Sequence, residues 1–155
     1  MTEKELIQKT DKKLRLYELM KINFNNINDD ILKLESKKVS PASSMIKISS
    51  SKTNAYIDDF NIPMIEEKIQ IKRRLLEQLE EQMEQIERAI QAVRNDRYSF
   101  IIDEHYTGNK TMQEIADSHF MSKTTIFLNR NKLLIRIGKI LFVDYFILND
   151  VIMAE

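Results

Sequence analysis

Between Ile62 and Val93 apolar side chains return at alternating steps of three and four residues: Ile62, Ile65, Ile69, Leu76, Leu79, Met83, Ile86, Ile90 and Val93. That spacing lines one stripe of an α-helix over roughly four heptads, whereas a strand alternates with period two. Lys72 interrupts the stripe, and Glu and Gln dominate the positions between. Pro63 sits where a first helical turn tolerates it, because the missing N–H has no intrahelical partner there. The chain must therefore hold one long helix with a seam to bury.

A second stripe lies nearer the N-terminus. Tyr17, Met20, Phe24, Ile27, Ile31 and Leu34 keep the same rhythm, with Lys, Asp and Asn on the other faces. Asn23, Asn25 and Asn26 lower helix propensity locally, so this helix depends on packing of its stripe. Val39-Ser40-Pro41 then breaks the pattern, since the residue before a proline disfavours helix. From residue 40 to about 59 no period is sustained, which predicts a flexible loop, and Asp58-Asp59 suits the start of the next helix. Two seam-bearing helices joined by a loop predict a long antiparallel, coiled-coil-like hairpin over residues 1–95. The first seam is shorter than the second, so the excess needs the C-terminal domain or a second subunit. Lys72 is a candidate for fixing register.

Gly and Pro number only two each, too few for the turns of a β-sandwich or barrel, and the expected fold class is all-α. The 24 basic and 24 acidic side chains cancel, which argues against a protein that coats DNA by bulk charge but leaves room for a local basic face. With no cysteine, and two histidines outside any HExxH pattern, no metal or other cofactor is expected. No nucleophile, base and orienting partner assemble from spacing, so the chain does not read as an enzyme. The carboxylate pairs Asp29-Asp30 and Glu66-Glu67 read as solvated faces, His105 as a surface residue and His119 as a half-buried helix residue. The charged start lacks the apolar core of a signal peptide, and the run Ile140–Leu148 is too short to span a bilayer. The expected compartment is the cytoplasm, with no membrane partner.

Residues 96–142 predict a compact set of short helices. Tyr98, Ile101, Ile102 and Tyr106 share a face, and Thr107-Gly108-Asn109 ends that helix. Thr111-Met112-Gln113-Glu114 forms a capping box: the threonine side chain accepts the Glu114 N–H, and the Glu114 carboxylate returns to the threonine N–H. The helix it opens runs to about His119 with Ile115 and Ala116 inward, and after a short break Ser122 caps a second helix. Ile115, Met121, Ile126, Leu133 and Leu134 are expected to converge on one tri-helical core. The opposite face of the second helix carries Lys123, Thr124, Phe127, Leu128 and Asn131, with Thr125 beside them and Arg130 and Lys132 flanking. Between Ser122 and Val143 stand five basic residues and no acid. This is the electrostatic footprint expected of a helix entering a DNA major groove. In this reading Lys123, Thr124, Phe127, Leu128 and Asn131 face base edges, and Arg130, Lys132 and Arg136 meet phosphates. Phe127 and Leu128 either contact thymine methyls or belong to the core, leaving base reading to Lys123, Thr124 and Asn131.

The stretch Thr111–Leu134 resembles the region 4 helix-turn-helix of sigma-70-type factors: Glu114-Ile115-Ala116, then Met121-Ser122, then the β-branched Ile126. Most of the chain also resembles the ArpU/RinA-like phage late-gene transcriptional regulators. The features shared with them are an N-terminal helix, a Val39-Ser40-Pro41 loop, a Glu/Gln-rich helix and an R-x-x-x-I-I-x-x-x-Y lead-in from Arg97 to Tyr106. The resemblance is sharp only over residues 97–134. It implies a promoter-binding activator of a phage or prophage late operon in a bacterial host, with RNA polymerase as a partner. Phe120 stands where that turn usually carries glycine, which implies a wider or differently built turn; His119 and Asn129 also depart from apolar positions of the pattern.

Leu134, Ile137, Leu141, Tyr145, Leu148 and Ile152 extend a helical stripe into an apolar extension over residues 143–155, although Gly138 interrupts it and the Phe, Tyr and Val content also fits a strand. A helix is the favoured reading. The extension either packs on the chain's own core or forms a dimerisation or polymerase-contacting surface. Two other functions fit the same pattern: a small-terminase-like DNA-packaging protein, distinguished by a ring of many subunits, and a sigma-like or anti-repressor adaptor that binds protein rather than DNA.

Overall fold

A computed structural model describes residues 1–39 and 62–154, with side chains for 1–38 and 62–148. The described chain is all-helical: α1 Glu3–Val39, α2 Ile62–Gln91, α3 Phe100–Ile102 continuing into a π-helical turn Asp103–Thr107, α4 Met112–Ser118, α5 Lys123–Leu141 and α6 Val143–Ala154. The expected loop over 40–59 and the helix-start role of Asp58-Asp59 fall outside the described residues.

Helix α1 begins at Glu3, well before the stripe that starts at Tyr17, and its start is set by a reciprocal cap. The Glu5 N–H donates to Thr2 Oγ1 at 3.2 Å, and the Thr2 N–H donates to Glu5 Oε2 at 3.1 Å. Glu3 and Glu5 in the first turn and Lys37 and Lys38 in the last complement the helix dipole. The apolar stripe continues backwards through Leu14 and Leu6, both buried. The helix is described as far as Val39, and the break expected at Ser40-Pro41 lies outside the described residues. Helix α2 is described from Ile62, with Pro63 the second residue of the described span.

The chain divides into two compact units. One holds residues 21–81, the C-terminal part of α1 and the N-terminal part of α2. Within it Ile31 and Ile69 are buried, while Phe24, Ile27, Leu34, Ile65, Leu76 and Leu79 are half-buried. Three ion pairs run antiparallel along the two helices: Asp30–Lys72 at 3.2 Å, Glu35–Arg73 at 2.6 Å and Lys38–Glu66 at 3.3 Å. All are partly exposed, so each contributes at most about 1 kcal/mol and their main effect is on alignment. The polar intruder in the seam, Lys72, is one of the three.

The other unit joins residues 1–20 to 82–155. Its larger core gathers Leu14 of α1, Ile86 and Ala89 of α2, Val93, Ile102, Tyr106, and Leu133, Leu134 and Ile137 of α5. A second, smaller core holds Ile101, Met112, Ile115, Ala116 and Ile126, with Met121 packed against it. The single tri-helical core expected from the sequence is thus two cores: Ile115, Met121 and Ile126 meet as expected, whereas Leu133 and Leu134 turn toward α1 and α2. The reason is axial distance: residues seven or eight positions beyond Ile126 keep its inward phase but lie about two turns further along α5 and reach a different neighbour.

Gly138 does not interrupt α5. It is buried within the helix, and a β-carbon there would lie 2.3 Å from Thr10 Oγ1 and 2.7 Å from Leu6 Cδ1. Glycine permits α1 and α5 to cross at that point. Thr10, fully buried, satisfies its hydroxyl by donating to the Leu6 carbonyl at 2.7 Å. The extension is helical, as favoured, but α5 ends at Leu141 and Phe142 leaves the helical conformation (φ −111°, ψ 31°), so the stripe through Tyr145 and Leu148 is a separate helix rather than a continuation. Both side chains are exposed. Among the described residues, no helix is long and apolar enough to cross a membrane.

Candidate nucleic-acid interface

The two helices α4 and α5 owe their N-terminal ends to side-chain caps. Thr111, in extended conformation, accepts the Glu114 N–H on its Oγ1 at 3.1 Å. The other half of the expected capping box is different: the Glu114 carboxylate accepts from the Thr111 hydroxyl at 3.2 Å rather than from its N–H. Ser122 repeats the arrangement for α5, accepting the Thr125 N–H at 3.1 Å, and its hydroxyl lies 2.7 Å from Thr125 Oγ1. Thr125 is accordingly half-buried and committed to the cap.

Between the caps the chain turns through a Schellman closure. The Met121 N–H donates to the Ala116 carbonyl at 2.9 Å and the Phe120 N–H to the Asp117 carbonyl at 3.4 Å. The motif needs one left-handed residue, and here Phe120 takes that place with φ 54°. The turn is therefore of the ordinary kind that glycine would serve, not wider. Upstream the assignment also shifts: Gly108 keeps a negative φ of −82°, while Asn109 takes the left-handed conformation at 54°. Gly108 is needed for space, since a β-carbon would sit 2.8 Å from the Glu104 carbonyl oxygen.

Polar contacts brace this region from behind. Glu104 of the π-helical turn meets His119 Nε2 at 2.6 Å and Lys110 Nζ at 3.1 Å, and the His119 ring stacks on Phe100 at 3.9 Å. Burial pushes the Glu104 carboxyl up, but the hydrogen bonds from Lys110 and His119 outweigh it and hold the group below the ordinary range. Asp11 of α1 accepts from the Tyr106 hydroxyl at 2.6 Å and from Arg15 Nε at 2.9 Å. Burial raises its pKa and these two bonds lower it, leaving a net depression to which the Arg130 charge adds. His105 is half-buried rather than a surface residue, with Nδ1 2.8 Å from the Lys110 carbonyl and Nε2 3.4 Å from Arg15. Asp11 and Arg15 form an i,i+4 pair that helical spacing makes legible, whereas Tyr106–Asp11, His105–Arg15 and His119–Glu104 meet only through the fold, and periodicity carries no signal for them.

The candidate residues of α5 separate into two groups. Lys123, Thr124, Phe127, Leu128 and Lys132 are exposed, with Phe127 at 45% and Leu128 at 53%. Phe127 and Leu128 therefore do not belong to the core. Arg130 and Asn131 are half-buried and bound to each other: the guanidinium donates to Asn131 Oδ1 from two nitrogens, at 2.9 and 3.3 Å, and lies 4.8 Å over the Phe127 ring. Asn129 turns its amide onto the Thr125 carbonyl at 2.8 Å. Arg136 is paired with Asp96 at 3.0 Å. Among the described residues, no three His, Asp or Glu side chains are arranged to hold a metal ion.

Compared with known proteins, the chain matches no family model, no curated protein and no solved structure.

Proposed function

We propose that the chain is a DNA-binding transcriptional regulator in which α4, the Phe120 turn and α5 act as a helix-turn-helix, with α5 as the recognition helix. The observation that carries this reading is the exposed face at the start of α5: a Ser122-capped helix presenting Lys123, Thr124, Phe127, Leu128 and Lys132, on a helix without a single acid. A major groove accepts one α-helix, and the phosphates on either side select against carboxylates. Lys123 and Lys132 are the exposed cations that meet phosphates. Arg130 acts through Phe127 and Asn131, which it holds in place. The resemblance to sigma region 4 and to ArpU/RinA-like regulators supports a role at a phage or prophage late promoter, in the cytoplasm of a bacterial host with RNA polymerase as partner.

The test is gel retardation of duplex DNA across a salt series. Binding weakens steeply with salt, and Lys132→Ala lowers the slope of log affinity against log salt by about one unit. Failure to retain any duplex at low salt overturns the reading. Co-purification with polymerase in its absence favours the protein-binding adaptor, and a ring-sized mass favours a packaging protein.

A further inference from the structure

Resting on that reading, we infer that α5 recognises its site chiefly through thymine C5-methyl groups, with Phe127 and Leu128 as the specificity-determining contacts and Thr124 alongside them. The reasoning begins with what polar base readers need. Direct readout by Arg or Asn requires a planar group that leaves its helix and meets a base edge with two hydrogen bonds. Here the Asn131 Oδ1 that would accept from a base is taken by two nitrogens of the Arg130 guanidinium, and Arg130 also lies over the Phe127 ring. Both are half-buried, and Asn129 is spent on the Thr125 carbonyl.

What α5 offers outward is apolar. Phe127 and Leu128 stand adjacent in sequence, and Thr124 is one turn earlier on the same side, with its own methyl group. The Arg130 guanidinium covers the Phe127 ring from one side, 4.8 Å from its centroid. Lys123 before the pair and Lys132 after it are exposed, and no acid lies between Ser122 and Val143. Charge complementarity of this kind suits a polyanion as the occupant, while the apolar centre suits the single apolar group that a major groove displays. A neutral protein partner would use the apolar pair but has no need of an acid-free rim.

Uracil differs from thymine only by that methyl and keeps the same hydrogen-bonding edge, which makes the inference separable from DNA binding as such. Duplexes enriched by the wild-type protein from a random-sequence library are resynthesised with deoxyuridine at each thymine in turn. Loss of a contacted methyl weakens wild-type binding about fourfold per position. Leu128→Ala and Phe127→Ala bind the thymine duplex more weakly and lose the penalty at one position each. Leu128, more than half exposed, leaves the fold intact when shortened, so its result stands even if the Phe127 variant is disturbed. Equal wild-type affinity for thymine and uracil duplexes overturns the methyl contact while leaving DNA binding in place. A penalty that persists undiminished in both variants overturns the residue assignment. Enrichment of no duplex overturns the DNA-binding reading itself.

Discussion

A β-carbon on Gly138 would lie 2.3 Å from the hydroxyl oxygen of Thr10, closer than any real contact permits. In an isolated helix Gly→Ala stabilises by about 1 kcal/mol. In this chain the added methyl meets Thr10 and two carbons of Leu6, all of them buried, and overpacking of that kind costs about 1–3 kcal/mol. Gly138→Ala is therefore expected to lower the urea midpoint and not to raise it. An unchanged or higher midpoint would mean that α1 and α5 do not cross as closely as described.

Phe120 presents the opposite case. Its side chain is 98% exposed while its backbone holds a left-handed conformation that disfavours any residue with a β-carbon. Glycine removes that strain and gives back part of the gain through greater freedom in the unfolded chain. Phe120→Gly is expected to stabilise the protein by roughly 0.5–1 kcal/mol. Chemical denaturation with equal slopes for both proteins measures this directly, and a loss of stability would show that the phenyl ring makes contacts the exposed geometry does not provide.

These two residues mark the boundary of what the sequence discloses. The stripes in α1 and α2, the caps at Thr111 and Ser122 and the all-helical class of the described residues all follow from local periodicity and cap chemistry, which act over three or four residues. The role of Gly138 does not, because a glycine that permits a crossing and a glycine that ends a helix look alike until the crossing partner is known. The same limit explains Leu133 and Leu134: their inward phase is legible, but not which of two cores they enter. On α5 the outward direction of Lys123, Thr124 and Lys132 is legible from the helical wheel. The pairing of Arg130 with Asn131 is not, since side chains at adjacent positions ordinarily face apart on a helix and here they meet only because the long Arg130 side chain bends back.

The Asp11–Tyr106 bond sets an acid limit on stability. Burial raises the Asp11 pKa, the Tyr106 and Arg15 hydrogen bonds lower it by more, and the net folded value is below that of the unfolded chain. A depressed carboxyl stabilises the fold above its unfolded pKa, and that stabilisation is lost as pH falls through the folded value, here below about pH 4. Burial and the Asp11 bond push the Tyr106 phenol far up, so it remains the donor throughout. Asp11→Asn is expected to be less stable than wild type near neutrality and to lose less on acidification. Parallel acid limbs for the two proteins, followed by thermal midpoint against pH, would remove Asp11 as the cause.

Ser122→Ala tests whether the cap of α5 matters locally as well as globally. Losing the acceptor for the Thr125 N–H is expected to cost about 1 kcal/mol. Because Lys123 and Thr124 lie in that first turn, hydrogen exchange should quicken there before it does in Leu133 or Leu134. Uniform acceleration along α5 would indicate that the helix is held by its core alone.

Lys72 offers a last test, of what a charged residue does inside an apolar seam. Its ammonium reaches Asp30 at 3.2 Å, but the two side chains are 32% and 48% exposed, so solvent screens the pair and its contribution is at most about 1 kcal/mol. A leucine at that position would extend the stripe between Ile69 and Leu76, bringing apolar burial worth about 1–2 kcal/mol when half-covered. Lys72→Leu is thus expected to raise the thermal midpoint. It also removes the one seam residue that prefers a single facing partner, and with it the preference for one alignment and one assembly size. Sedimentation at rising concentration should then detect self-association beyond that of the wild type, and Asp30→Leu alone should not reproduce it, because Lys72 would remain to oppose burial against a second seam. If Lys72→Leu is less stable than wild type and keeps its mass, the ion pair with Asp30 stabilises the hairpin rather than merely aligning it.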